Sequence, residues 1–249
     1  MIYVAKFMSS SVWVIDGTTN TVIDTVSVGS NPYGVGVNWA TNRIYVSNSV
    51  SNTVSVIDGT TNTVIDTFPV GRNPYEVGVN CVTNRIYVAN YVNETVSVID
   101  GYTDTVITTV RVGEDPFGVC VNPAINAIYV ANNRTGNVSV INGFSNHVIA
   151  TVTVGTGPIG IGVNPTTNRV YVANNGSGSV SVINGNNNTV IATITVGTEP
   201  QGIGVNALTN GIYVANYGSN DVTVISGLDN TAIMTIAVGF GPYFVGINP

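Results

Sequence analysis

One block of sequence recurs six times along this chain, always 42 residues apart and without insertion or deletion. A Tyr-Val pair begins at Tyr3, Tyr45, Tyr87, Tyr129, Tyr171 and Tyr213. A Val-Gly pair ends at Gly29, Gly71, Gly113, Gly155, Gly197 and Gly239, and a proline follows three residues later each time, from Pro32 to Pro242. Strict periodicity on this scale means that each copy is one supersecondary unit, stacked on its neighbours.

Within a period, four short segments alternate or run apolar. In residues 32 to 70 they are Pro-Tyr-Gly-Val-Gly-Val-Asn, Arg-Ile-Tyr-Val-Ser-Asn, Thr-Val-Ser-Val-Ile-Asp and Thr-Val-Ile-Asp-Thr-Phe-Pro-Val. Val, Ile, Thr and Tyr suit pleated strands, and the Gly, Asn and Asp between them suit turns. Helical periodicity is absent. Four strands per period of this length predict an all-β chain folded as a six-bladed β-propeller, with four antiparallel strands per blade. A β-helix is the competing repeat fold, but its coils are shorter and its ends need atypical caps. The chain starts in a second strand and stops just after a first one. Residues 242 to 248 are therefore expected to supply the inner strand of a blade whose other strands come from residues 2 to 28, closing the ring and removing free edges. The blades then run 31–70, 73–112, 115–154, 157–196, 199–238, and 241–249 with 1–28, as a single domain.

Composition excludes several classes. Charged residues make up 8% and hydrophobic ones 44%, the opposite of a disordered chain. Thr, Ser, Asn or Gly interrupts every apolar run before the roughly 18 residues of a membrane helix, so no transmembrane segment is expected. The net charge of −6 and the lack of any basic cluster argue against nucleic acid as a partner. Cys81 falls in a turn and Cys120 in an inner strand, without metal or redox spacing, so no disulfide is expected. No signal peptide is expected from these residues, since Met1 leads straight into the middle of a repeat. The chain reads as a monomeric domain of a longer protein.

The runs Arg-Ile-Tyr-Val-Ala-Asn at 85–90, Thr-Val-Ser-Val-Ile-Asp-Gly at 95–101 and Asn-Pro-Tyr-Gly-Val-Gly-Val-Asn at 31–38 resemble the YVTN family of β-propeller repeats. The resemblance covers essentially the whole chain. That family is prominent in archaeal and bacterial surface-layer and cell-surface proteins, which implies an extracellular setting. Its members usually carry more or fewer blades within longer chains, so a six-blade unit is a departure. A scaffold does not fix a function.

Comparing the six copies separates what the fold needs from what one copy needs. The first-to-second and third-to-fourth turns barely change, as in Thr41-Asn42-Arg43 and Thr83-Asn84-Arg85, or Asp-Gly-Thr-Thr-Asn at 16–20 and 58–62. The second-to-third connections (6–10, 49–52, 91–94, 133–136, 175–178, 217–220) and the residues before each fixed proline vary. Binding residues concentrate on loops carried by a rigid scaffold, so this variable face is the expected working one.

The residue after each proline is Tyr33, Tyr75, Phe117, Ile159, Gln201 or Tyr243. Around a central funnel these side chains, with Phe244 beside the last, either pack between blades or form an apolar vestibule for a glycan, a peptide or a protein ligand. Charge on that face is sparse: Lys6, Arg72, Glu76, Glu94, Glu114, Asp115, Arg134, Glu199 and Asp221. Glu76 replaces a glycine found in four sister copies, and in a six-fold ring its blade lies opposite the one headed by Glu199. Carboxylates across a funnel are too distant for the short oxygen bonds of a divalent cation such as calcium, and the adjacent Glu114 and Asp115 read as solvated, so no cofactor is expected. The asparagines ending each first strand, Asn38 to Asn248, are expected to bond the following turn. Five Asn-x-Ser/Thr sequons occur, at Asn93, Asn133, Asn137, Asn175 and Asn187. The single histidine, His147, opens an outer strand near the constant turns, and no Ser-His-acid or Cys-His set can be built. Streptogramin lyases and gluconolactonase-like enzymes are propellers of related shape; such a lyase uses His and acid near the axis, which this chain lacks. Binding through the variable face is the leading expectation. The alternative is a metal-assisted hydrolase or lyase at the funnel mouth, through Glu76 and Glu199.

Overall fold

The structure, a computed structural model, describes residues 1–247. Its strands begin and end where the repeat changes from β-branched runs to Asn, Asp and Gly. Residues 1–115 form one compact unit and residues from 116 onward a second.

In the first unit, β1 (Ile2–Lys6), β2 (Ser11–Asp16) and β3 (Thr21–Ser27) make a three-stranded sheet. Two four-stranded sheets follow: β4 (Pro32–Asn38), β5 (Arg43–Asn48), β6 (Thr53–Asp58) and β7 (Thr63–Pro69), then β8 (Pro74–Asn80), β9 (Arg85–Asn90), β10 (Thr95–Asp100) and β11 (Thr105–Arg111). The second unit has three such sheets: β12 (Pro116–Asn122) to β13 (Ala127–Asn132), β14 (Asn137–Asn142) and β15 (His147–Thr153); β16 (Pro158–Asn164) to β17 (Arg169–Asn174), β18 (Ser179–Asn184) and β19 (Thr189–Thr195); and β20 (Pro200–Asn206) to β21 (Gly211–Asn216), β22 (Asp221–Ser226) and β23 (Thr231–Ala237). Every pairing is antiparallel between consecutive strands. One short 3₁₀ turn at Asn175–Ser177 is the helical content among the described residues.

The cores lie between successive sheets. Tyr45, Val54 and Val56 pack on Val77, Ile86, Val88 and Ile99. Val12, Val14 and Val26 meet Ile44, Val46 and Ile57 in the same way. In the second unit Tyr129, Val138 and Val140 cover Val170, Val172 and Ile183, and Tyr171, Val180 and Val182 cover Ile212, Val214 and Ile225. Each fully buried Val or Ile contributes about 1.5–3 kcal/mol over an exposed one. Repeating the same pattern therefore stabilises each stacked pair in the same way.

Two asparagine positions lock the stack. The Asn ending each first strand accepts a bond from its own turn, Ala40 N–H to Asn38 Oδ1 at 3.1 Å and Thr166 N–H to Asn164 Oδ1 at 3.0 Å. Its amide also reaches the next sheet, donating from Asn38 Nδ2 to Asn84 Oδ1 at 2.7 Å, Asn122 to Asn168 at 2.8 Å and Asn164 to Asn210 at 2.7 Å. The expected turn bond is present, and a bridge between sheets accompanies it. The Asn ending each second strand donates across to the third, as Asn48 Nδ2 does to Thr53 Oγ1 and Ser55 Oγ.

Residues 242–247 pair into no sheet, and β1 to β3 remain three-stranded among the described residues; Asn248 lies outside them. Gly202 N–H donates to the Tyr243 carbonyl at 2.9 Å, which holds the segment beside β20.

Candidate functional site

Each complete sheet begins with a bulge. Pro32 faces Asn48 and Val35 faces Val46, so Tyr33 and Gly34 together oppose Ser47 alone. The same irregularity opens β8, β12, β16 and β20. A bulge re-aims a side chain that would otherwise stay in the ladder, and the residue re-aimed here is the one after the fixed proline. Ser47 Oγ fills the gap by accepting Gly34 N–H at 2.9 Å and donating to the Tyr75 carbonyl. Glycine follows in four copies because the next inner strand leaves no room. A Cβ on Gly34 would lie 2.9 Å from Glu76 Cα, and one on Gly160 would overlap the Gln201 carbonyl.

In the first unit this geometry assembles a run of four rings. Phe7 meets Tyr33 edge-on at 5.8 Å between centroids, Tyr33 meets Tyr75 at 4.7 Å, and Tyr75 meets Tyr91 at 5.1 Å. Tyr33 and Tyr75 come from the bulges, Phe7 and Tyr91 from second-to-third loops. Such pairs add about 0.5–1.5 kcal/mol beyond area burial, so the rings hold one another in place. Phe7 remains 53% exposed and the three tyrosines half-buried. The two inner-strand positions were legible in the sequence. Phe7 and Tyr91 were not, although their aromatic character inside a variable loop was the available signal.

In the second unit Phe117, Ile159 and Gln201 occupy the equivalent bulge positions, half-buried. Tyr243 lies 6.3 Å from Tyr217 and 5.1 Å from Phe244, both edge-on.

The charged candidates are scattered. Glu76, on β8, is half-buried, and loss of hydration pushes its carboxyl up to about 7 against a single favourable bond from Val77 N–H. Arg72 and Glu114 are exposed in the connections before Pro74 and Pro116; Asp115 is half-buried at φ 53° and Glu199 exposed at φ 51°. Arg134 is exposed in the loop after β13. Among the described residues no three His, Cys, Asp or Glu side chains converge as metal ligands would. His147 opens β15, exposed, with Nδ1 2.6 Å from the Ser145 carbonyl oxygen. Cys120 lies in β12 and Cys81 in a turn, both as free thiols; burial raises the Cys120 thiol.

The opposite end of each sheet is a fixed web. Asp58 Oδ1 accepts Thr60 N–H at 2.7 Å, which lowers its carboxyl, and Gly59 N–H donates to the Asn42 carbonyl at 2.8 Å. Arg43 joins Asp104 at 2.6 Å, and Tyr45 Oη donates to the same carboxylate at 3.2 Å. Burial outweighs the guanidinium, so Asp104 sits above the ordinary carboxylate range. These groups spend their polarity on the scaffold.

Comparison with known proteins follows the same outline. The family model of a YNCE-like beta-propeller matches residues 35–164. No curated protein matches the chain. Among solved structures, hydrazine synthase of Kuenenia stuttgartiensis superposes with a TM-score of 0.83 at 19% identity, over 94% of this chain and 82% of that one. A functionally unknown protein from Desulfotomaculum acetoxidans DSM 771 gives 0.83 at 15% identity, over 94% and 78%. Dihydro-heme d1 dehydrogenase NirN, solved in complex with DHE, gives 0.75 at 14% identity over 99% of this chain, which spans 55% of NirN. Identity this low carries the fold and not the chemistry.

Proposed function

The chain belongs to the YNCE-like β-propeller family, and from that premise we propose that it is a non-catalytic binding module, working outside the cell or at its surface. The aromatic run Phe7–Tyr33–Tyr75–Tyr91 carries this reading. Flat, pre-positioned rings at the variable end suit the CH faces of a sugar or the apolar side chains of a peptide, and they lose little conformational entropy on binding. The surface setting rests on the resemblance to surface-layer propeller repeats.

An array of glycans and peptides probed with the wild type and with Tyr75→Ala tests the proposal. Ligands of the wild type should be lost or weakened at least about tenfold in the variant, a change of about 1.4 kcal/mol, while circular dichroism and the melting profile stay cooperative. Equal binding by both proteins would defeat it. A variant that fails to fold would assign the ring to the core, and Phe7→Ala, on the exposed ring, then decides the question. Protease shaving of intact cells tests the location: a protein protected until lysis would contradict it.

A further inference from the structure

A second site lies away from the rings, on the flank of the first unit. A groove of about 540 Å³ runs between the end of β7 and the face of β10 and β11, lined by Arg72, Asn93, Thr95, Ser97, Thr109 and the apolar edges of Pro69 and Val106. It is an open depression with room for a small molecule laid against the sheet.

Arg72 stands on its rim with its backbone held at both ends. Its N–H donates to Asn93 Oδ1, and its carbonyl accepts Val92 N–H at 3.3 Å. Of the five cations in residues 1–115, Arg43, Arg85 and Arg111 are ion-paired with Asp104, Asp100 and Glu94, and Lys6 lies over the Trp13 ring. Arg72 forms no ion pair among the described residues. Glu94, next to Asn93, spends its charge on Arg111 at 3.1 Å, so the rim stays cationic on a chain of net charge −6.

The floor is polar in a specific sense. Asn90 Nδ2 donates to Thr95 Oγ1 at 3.1 Å and to Ser97 Oγ at 2.9 Å. With those oxygens used as acceptors, their own protons are left to donate. In the preceding sheet, Thr67 gives its hydroxyl proton to Ser55 at 3.2 Å; Thr109, its counterpart here, forms no such bond among the described residues. An exposed guanidinium on a held backbone, able to grip a carboxylate through two parallel bonds, hydroxyl donors and two apolar edges match a sugar ring bearing an acid group. We propose that this groove binds an acidic saccharide, with Arg72 on the carboxylate and Thr95 and Thr109 on ring hydroxyls. The site shares no residue with the aromatic run, so either can fail without the other.

Isothermal titration of the whole protein, produced without N-glycosylation because Asn93 lies in a sequon, tests it with three probes: trigalacturonate, neutral galactotriose and an aspartate-rich peptide. The expected result is saturable binding of trigalacturonate that weakens with salt and falls at least about tenfold in Arg72→Gln. Thr109→Val should weaken it less while the melting temperature holds. No binding of trigalacturonate, binding of galactotriose of equal strength, preference for the acidic peptide, or indifference to Arg72→Gln would each overturn the proposal.

Discussion

Glu199 holds φ at 51°, where Gly157 and Gly241 stand in sister connections and where Asn31 and Asn73 are tolerated through their short side chains. A long side chain there costs about 1 kcal/mol. Glu199→Gly, by removing the Cβ penalty, should raise stability by about 0.5–1 kcal/mol in urea unfolding; no change would mean that the glutamate makes a compensating contact. Glu76 predicts a pH dependence. Its carboxyl titrates near 4.5 in the unfolded chain and near 7 in the fold. Below pH 4.5 both states hold the proton and no penalty exists. As pH rises from there to about 7 the unfolded state ionises first, so stability falls by at most about 3 kcal/mol and then levels. Urea unfolding of Glu76→Gln between pH 5 and 8 should lack this slope and exceed the wild type at pH 8; parallel curves for the two proteins would contradict it. The departure from glycine at position 76 was legible in the sequence. The raised pKa was not, because hydration is lost to neighbours that only the fold brings close.

At the scale of strands and turns, the segments 43–48 and 53–58 read from β-branched runs coincide with β5 and β6. Polar side chains mark those limits: Asp58 Oδ1 accepts Thr60 N–H at 2.7 Å after β6, while Asn48 at the end of β5 donates across to Thr53 and Ser55. One feature escaped such reading. The first-strand asparagines do more than close a turn: Asn164 also donates to Asn210 of the next sheet at 2.7 Å, a partner 46 residues away that no local pattern names. Asn164→Ala leaves a part-buried acceptor and a turn N–H unmatched and should cost about 1–2 kcal/mol, seen as a lower urea midpoint. A loss below about 0.5 kcal/mol would show that the bridge contributes nothing. Gly160→Ala should destabilise by about 1–3 kcal/mol, because its Cβ meets the Gln201 carbonyl.

Across the whole chain, the copies keep constant what joins sheet to sheet and vary what meets solvent at one end. The Asp-Gly and Asn-Arg turns bond to each other within each sheet, as Gly101 N–H does to the Asn84 carbonyl at 2.9 Å. The loops at the other end share backbone bonds, as from Ser49 N–H to the Asn31 carbonyl at 2.9 Å, and add side-chain bonds that differ from copy to copy, as from Ser30 N–H to Ser51 Oγ at 2.7 Å and from Asn73 N–H to Asn52 Oδ1 at 2.8 Å. That division between a constant and a variable end was legible from six copies of one sequence, while the ring contacts between Phe7, Tyr33, Tyr75 and Tyr91, which depend on packing, were not. The most direct test is hydrogen–deuterium exchange of the full chain with and without its strongest array binder. The account predicts slowed exchange in the loops around residues 7–10, 31–34, 73–76 and 91–94, with the constant turns around 41–43, 58–62 and 83–85 unchanged. Slowing confined to those constant turns would place binding at the wrong end and contradict it.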